Sequence, residues 1–256
     1  GFNLSDYQSE VTKFDNESKE LGNWYVGQKQ GEIWGYETYG LFQSEQEIAG
    51  AANQDKVSGG IKLMPGDIRF VDRNNDGVID WGDNTVDNPG DKKIIGNSTP
   101  RYHYGINLGA DWKGFDLGIF FQGVGKRDLY LPGTSFRSHY GSEWQVPSAY
   151  NNDYWTEENT GAYFPRARFN GGSAINQAQT RYMVDASYCR LKSVSIGYTL
   201  PKVLTQKASI EKIRIYFTGE NLFTISDTPD GLDPELDNPY TYPMQRSLSV
   251  GLSLTF

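Results

Sequence analysis

The amino-acid sequence predicts an all-β chain, a segment of a large antiparallel transmembrane β-barrel with long loops on one side. Three observations carry that prediction. Runs of strictly alternating apolar and polar residues recur along the chain, several of them about the 9–11 residues that a tilted strand needs to cross a bilayer. The connections between these runs are very short or very long, which is the barrel pattern of tight turns at one rim and extended loops at the other. The composition combines only 37% hydrophobic residues with 14% aromatics and 29 Gly, a mixture that suits many strands and turns and does not suit disorder.

Taken in chain order, a first short strand is expected near Gly1–Ser5 and a second near Gly31–Phe42. Ser44-Glu45-Gln46-Glu47, followed by Ile48, Ala49 and Gly50, has the form of a capping box opening a short helix that ends at glycine. The clearest hairpin centres on Lys113-Gly114. Before it, Tyr102, Tyr104, Ile106, Leu108, Ala110 and Trp112 share one face, with His103, Gly105, Asn107, Gly109 and Asp111 opposite. After it, Phe115, Leu117, Ile119 and Phe121 face one way and Asp116, Gly118 and Gln122 the other. A tight glycine turn between two such runs is a hairpin signal. A third pair flanks Pro201: Val194, Ile196 and Tyr198 alternate with Ser193, Ser195 and Gly197, then Ile213, Ile215 and Phe217 alternate with Arg214, Tyr216 and Thr218. The last run sets Leu248, Val250, Leu252, Leu254 and Phe256 against Ser247, Ser249, Gly251, Ser253 and Thr255. About seven strands are expected in all. Charges on the polar faces are costly in lipid, so those faces should line the lumen. The long loops are expected at about 43–99, 126–185 and 226–243, and counting back from a last strand that ends in the periplasm places them outside the cell.

Composition also excludes functions. A net charge of −8 from 24 Lys+Arg and 32 Asp+Glu gives nucleic acid no basic surface. No run of about 18 apolar residues exists, so no transmembrane helix is expected. The single Cys189 excludes an internal disulfide and reads as a small buried or interfacial residue. The chain opens mid-pattern at Gly1-Phe2-Asn3-Leu4 with no export signal there, which reads as a fragment boundary.

With these elements in place, the residues resemble a known family. The end Ser249-Val250-Gly251-Leu252-Ser253-Leu254-Thr255-Phe256 resembles the signal by which barrels are recognised for outer-membrane insertion, its pattern falling on Ser249, Gly251, Leu254 and Phe256. The phrases GEIWGYETYGLFQSEQEI (31–48), GDIRFVDRNNDGVID (66–80), IGNSTPRYHYGINLGADWKGFDLGIFFQGVG (95–125), YWTEENTGAYFPR (154–166), YCRLKSVSIGYTLP (188–201) and TGENLFTISDTPDGLDPEL (218–236) resemble the C-terminal part of SusC/RagA-type TonB-dependent transporters. The resemblance implies a barrel of about 22 strands with a plugged lumen in the outer membrane of a Bacteroidetes-like Gram-negative cell. It implies import of oligosaccharides or peptides together with a SusD-like surface lipoprotein, without enzyme activity. The plug and the TonB-contacting segment belong to the family's N-terminal part, which this chain does not contain. The strands here would therefore complete a barrel with the rest of the same transporter, since unpaired edges are not tolerated in lipid.

Asp72-Arg73-Asn74-Asn75-Asp76-Gly77-Val78-Ile79-Asp80-Trp81-Gly82-Asp83 is similar to an EF-hand loop. Asp72, Asn74 and Asp76 fall at the first, third and fifth ligand positions, the Val78 carbonyl at the seventh, Asp80 at the ninth and Asp83 where a bidentate Glu is usual. Two readings stand side by side: a structural Ca²⁺ site, or an Asx-turn loop that binds no ion. Catalysis is not expected of it.

Aromatics crowd the loops: Phe136, Tyr140, Trp144, Tyr150, Tyr154, Trp155, Tyr163 and Phe164. Each can stack on a sugar ring or simply pack the loops and touch the partner lipoprotein. Tyr140 and Trp144, which lie outside the family phrases, are the candidates for substrate contact. His103, expected to face the lumen, and His139 are too isolated for a zinc site or triad. Paired acids at Glu157-Glu158 and at Asp233 and Glu235 open a glycosidase reading, and a secreted calcium-stabilised β-sandwich that binds carbohydrate is the main alternative to the transporter.

Overall fold

The structure, a computed structural model, describes residues 1–130, 153–168, 173–205, 209–229, 232–236, 241–242 and 244–256. The chain divides into two compact units.

The first unit holds residues 1–7, 100–128 and 185–256. It is a six-stranded antiparallel sheet of β1 (Phe2–Ser5), β2 (Arg101–Trp112), β3 (Phe115–Lys126), β4 (Tyr188–Thr199), β5 (Lys212–Ser226) and β6 (Ser247–Thr255), each strand paired with its neighbours in sequence. The sheet is open, with β1 and β6 at its edges. The β2–β3 turn is the expected one. Lys113 and Gly114 both have positive φ, 47° and 90°, as a two-residue turn matched to strand twist requires. A Cβ on Gly114 would also meet the Thr199 carbonyl at 2.8 Å. The β4–β5 connection is short as well, starting at Pro201 with a turn of helix, Lys202–Thr205. The other three connections are long. Because successive strands reverse, all three leave from the same end of the sheet and both short turns lie at the other.

Lys192 is an extra residue in β4. The pairing shifts between Leu191 and Ser193 toward both neighbouring strands. The bulge resets the alternation, so odd-numbered Leu191 and even-numbered Val194 and Ile196 come to one face.

The second unit holds residues 8–99 and 129–184. Here the expectation of a wall strand at 31–42 is corrected. That stretch makes two short strands, Glu32–Tyr36 pairing with Lys92–Asn97 and Thr38–Leu41 with Ile68–Phe70, both outside the six-stranded sheet. β2 takes β1 as its partner instead, so six strands form the described sheet where about seven were expected. The first long connection consequently begins after Ser5. The expected helix is present at Glu45–Ala49, with the Ser44 hydroxyl accepting the Glu47 amide at 3.2 Å. Glu47 returns its carboxylate to the Gln43 amide at 2.9 Å, one residue before the usual capping-box position.

The hydrophobic core lies in this second unit. Tyr36, Leu41, Val57, Ile68, Phe70 and Ile79 pack with Trp155, Phe164, Ile175 and Tyr182. Most large apolar side chains of the six-stranded sheet stay exposed. Among the described residues no helix is long and apolar enough to cross a membrane, which says nothing about a β-barrel.

Candidate functional site

The six-stranded sheet has two faces of different chemistry. On the apolar face, register lines side chains into rows that run across the strands. Trp112, Phe115, Tyr198, Ile215 and Leu252 form one row; Ala110, Leu117, Ile196, Phe217 and Val250 form the next. A row further, Leu108, Ile119, Val194, Gly219 and Leu248 are aligned, then Phe2, Ile106, Phe121, Leu191 and Phe223. Neighbours within rows touch, as Phe115 and Tyr198 do with ring centroids 4.5 Å apart. Outward, many of these side chains are uncovered, with Leu252 60% exposed and Val250 78%, although Leu191 is buried.

The polar face is knitted across strands. Arg214 on β5 reaches over Gly197 of β4 to Asp116 on β3, with its Nε 2.9 Å from Asp116 Oδ1. A Cβ on Gly197 would lie 2.5 Å from both partners, so only glycine leaves room for this pair. On the apolar face, two residues from Ile106, Tyr104 of β2 crosses Gly123 of β3, and its hydroxyl donates to the Tyr188 carbonyl on β4 at 3.1 Å.

The proposed insertion-signal residues sit on the edge strand β6. Ser249 pairs with Thr218 and Gly251 with Tyr216 on the polar side, whereas Leu254 faces outward opposite Ile213. Phe256 is 84% exposed. Gly251 has a steric reason of its own, because the Tyr216 ring lies over it and an added Cβ would come within 2.2 Å of Cζ.

At the end of the sheet where the long connections leave, Asp233 and Glu235 come together, as the sequence pairing allowed, around Arg190 of β4. The guanidinium donates to Asp233 Oδ1 and to Glu235 Oε2, both at 2.6 Å, and to Thr224 Oγ1 at 2.8 Å. Lys192 Nζ and the Tyr188 hydroxyl, each 2.9 Å away, complete Glu235. Burial alone would raise the Asp233 carboxyl, but Arg190 and backbone N–H groups outweigh it and hold the pKa below the ordinary carboxylate value. Both carboxylates are committed to cations, an arrangement that leaves neither free as the acid or base of a glycosidase.

In the second unit, residues 72–83 fold as a chain of Asx turns. Asp72 accepts the Asn75 and Gly77 amides at 2.7 and 2.9 Å, Asn74 accepts that of Asp76 at 3.0 Å, and Asp76 accepts that of Val78 at 2.8 Å. Gly77 takes φ 83°, as the sharp turn expected there requires. Ile79 drives into the core, 1% exposed. The two remaining acids turn elsewhere. Asp80 is held by Lys56 at 2.6 Å and Asp83 by the Asn88 amide at 2.8 Å. Lys56 and the Gly82 amide hold the Asp80 carboxyl below its ordinary pKa. Among the described residues no three His, Cys, Asp or Glu side chains form a group that could hold a metal ion.

Sequence reasoning missed Asp91. It is fully buried, and its carboxylate braces the turn from below by accepting the Arg73 amide at 2.7 Å and the Asp80 amide at 2.9 Å. Only the Pro89-Gly90 punctuation before it hinted at a fixed chain reversal. Arg190 was missed too, because its partners lie more than 40 residues away in sequence. Tyr140, Trp144 and His139 lie outside the described residues. Trp155 is a core residue, 3% exposed, donating to Gln43 Oε1 at 3.2 Å. His103 stacks on Tyr7, with ring centroids 6.3 Å apart.

No model of a known protein family matches the chain. TonB-dependent receptor P3 of Formosa agariphila is 31% identical over 248 residues, 90% of this chain and 22% of that protein. TonB-dependent receptor SusC of Bacteroides thetaiotaomicron is 29% identical over 194 residues, 73% of this chain and 17% of SusC. Among solved structures, the RagAB peptide transporter superposes with a TM-score of 0.70 at 22% identity, over 100% of this chain and 27% of that one. The chain thus spans less than a third of each of these proteins.

Proposed function

Because the chain belongs to the TonB-dependent receptors of the SusC/RagA type, we propose that it builds part of the wall and outer rim of an outer-membrane nutrient importer. One observation carries the reading: the rows of apolar side chains left uncovered on the six-stranded sheet. Leu108, Trp112, Phe115, Ile196, Ile215, Phe223, Ile225, Leu248, Val250, Leu252 and others on that face are exposed. Together they present on the order of 1,000 Å² of apolar surface, which in water would cost roughly 25 kcal/mol. Soluble monomers rarely expose a contiguous apolar patch of more than a few hundred Å². Lipid removes the cost.

The dimensions agree. From Ile213 to Ile225, leaving out two residues that the register break near Asn221 takes out of the ladder, β5 carries outward positions over about ten strand steps, about 34 Å, or about 26 Å of membrane depth at a tilt near 40°, close to the ~25 Å band of outer-membrane barrels. The open edges at β1 and β6 would be closed by the remaining strands of the same transporter, in a barrel of about 22 strands. The polar face lines the interior around the plug. The end bearing the three long connections is the outer rim, where they meet substrate and a SusD-like lipoprotein, and TonB engages the parent protein outside this chain. Substrates are oligosaccharides or peptides, with Tyr140 and Trp144 as candidate contacts. The curated relatives are named as receptors, in keeping with transport and without an enzyme role. A free-standing β-sandwich needs a second sheet over the apolar rows, and among the described residues none covers them.

The parent receptor, expressed whole, should fractionate with outer membranes, resist carbonate extraction and migrate heat-dependently on a gel. Recovery as a soluble monomer from the membrane-free fraction overturns the proposal. Ca²⁺ at residues 72–83 is a separate proposal, in which an ion competes with Lys56 for Asp80 and with Asn88 for Asp83. Loading should raise the melting temperature of the receptor, and the double substitution Asp72→Asn, Asp76→Asn should abolish that rise. Identical melting with Ca²⁺ and with chelator removes the site.

A further inference from the structure

We propose that Arg190 is a latch that straps the last long connection down onto the polar face at the mouth of the wall. The inference rests on reading that face as the barrel interior. The strap is Asp233-Pro234-Glu235. Arg190 forks its two carboxylates, and Arg127 donates to the intervening Pro234 carbonyl at 2.9 Å. Lys192 and Tyr188 hold Glu235, and Asp233 accepts the Glu235 and Met244 amides at 3.0 and 3.3 Å, closing the strap on itself. Pro234 fixes its own backbone φ, so the two carboxylates are presented at a set spacing. The side chains of Arg190, Asp233 and Glu235 are 4%, 7% and 10% exposed.

An ionic fastener at this depth is a poor way to gain stability, because desolvation cancels most of the attraction. It is a good way to fix position and to permit release. Ions that separate into water recover their hydration, whereas a released apolar anchor would leave greasy surface exposed. Apolar packing does not duplicate the grip: a cavity of about 500 Å³ bounded by Thr224, Leu232, Met244 and Arg246 lies beside it. The Lys192 bulge contributes directly, since it brings a second cation to the carboxylate that Arg190 already holds. The latch therefore sets whether residues 232–236 lie across the mouth or swing free of it.

The test uses the full-length receptor in detergent, with Cys189→Ser and Leu232→Cys as background. It compares the rate of maleimide labelling in Arg190→Met and in Asp233→Asn, Glu235→Gln, with heat-dependent migration reporting that the barrel is folded. A latch predicts labelling at least about tenfold faster in folded Arg190→Met, with Arg190→Lys in between because it keeps the charge and loses the fork. Wild-type labelling rates in folded Arg190→Met overturn the proposal. Should Arg190→Met fail to fold, the loop double variant, which leaves every wall strand intact, decides by the same two outcomes. Labelling of intact cells with an impermeant maleimide is scored separately. Residue 232 unreachable from outside yet reactive in detergent refutes the outer-rim assignment without touching the latch.

Discussion

Gly251→Ala is the smallest change that separates two roles for the terminal strand. Gly251 of β6 pairs directly with Tyr216 of β5, and the Tyr216 ring lies across it with Arg214 stacked 4.8 Å above the ring. A Cβ at 251 would stand 2.2 Å from Tyr216 Cζ and 2.4 Å from its hydroxyl. The ring must therefore leave. Overpacking of this kind costs about 1–3 kcal/mol, and losing the Arg214 stack adds about 0.5–1 kcal/mol. In an ordinary strand the same substitution would be neutral or slightly favourable, since glycine weakens strand interiors. The assay is urea unfolding of the full receptor in detergent micelles, following the heat-modifiable fraction, for Gly251→Ala, Tyr216→Ala and the double variant. The steric account predicts a loss of about 2–4 kcal/mol for Gly251→Ala alone and a coupling of at least about 1 kcal/mol in the cycle, because Tyr216→Ala empties the space. A glycine needed only as part of an insertion signal predicts the same defect with or without the tyrosine. Equal costs in both backgrounds would refute the steric reasoning.

Three further outcomes are expected. Phe217→Arg, on the apolar face, should cost about 2–4 kcal/mol in micelle unfolding if that face meets lipid, whereas Thr218→Arg, one residue on and facing the other way, should cost under about 1 kcal/mol; equal costs contradict the face assignment. Asp91→Ala removes the acceptor of two part-buried amides and should destabilise the second unit by about 1–3 kcal/mol, read as accelerated hydrogen exchange at Arg73 and Asp80. Acid should release the strap. Asp233, faced by Arg190, Lys192, Glu235, Tyr188 and Arg127, has its carboxyl pKa lowered in the fold, so its stabilisation is complete above the unfolded value of about 3.9 and fades as pH falls through the lower folded value. Protection of the Glu235 amide, corrected for intrinsic exchange, should be flat from about pH 5 to 8 and lost only below about pH 4.

Much of the wall is legible because alternation is a local signal. Leu248 to Phe256 and the hairpin around Lys113-Gly114 declare their faces without reference to anything distant. Residues 31–42 show why the same signal can mislead. Tyr36 and Leu41 are apolar for a core of soluble type in the second unit, and a few alternating residues look alike in a wall and in a small sheet. The bulge at Lys192 is silent because it changes the count between faces without changing residue types. The acidic turn was legible as a turn, since Asp72, Asn74, Asp76 and Gly77 act on amides within five residues. Where Asp80 and Asp83 point was not, because Lys56 reaches Asp80 from 24 residues away and competes for its carboxylate. Tyr140 and Trp144 stay sequence-level proposals, lying outside the described residues.

The two faces of the wall obey different packing rules, and the glycines mark the boundary between them. Strand glycines normally weaken a sheet, yet Gly105, Gly197 and Gly251 on the polar face all lie beneath side chains from adjacent strands. Tyr216 and the Arg214–Asp116 pair lie flat across the strands there, joining neighbours. On the opposite face Tyr104 over Gly123 is an exception, and most of the Leu, Ile, Phe and Trp side chains in the rows end exposed. A sheet designed for water would place its bulk inward and its small polar residues outward over a second layer. Here the bulk faces away from the crosslinked side and nothing in the described chain covers it, while the second unit keeps a conventional buried core. Surroundings that are apolar on one side and aqueous on the other would satisfy both faces together, as the proposed wall between lipid and lumen would supply.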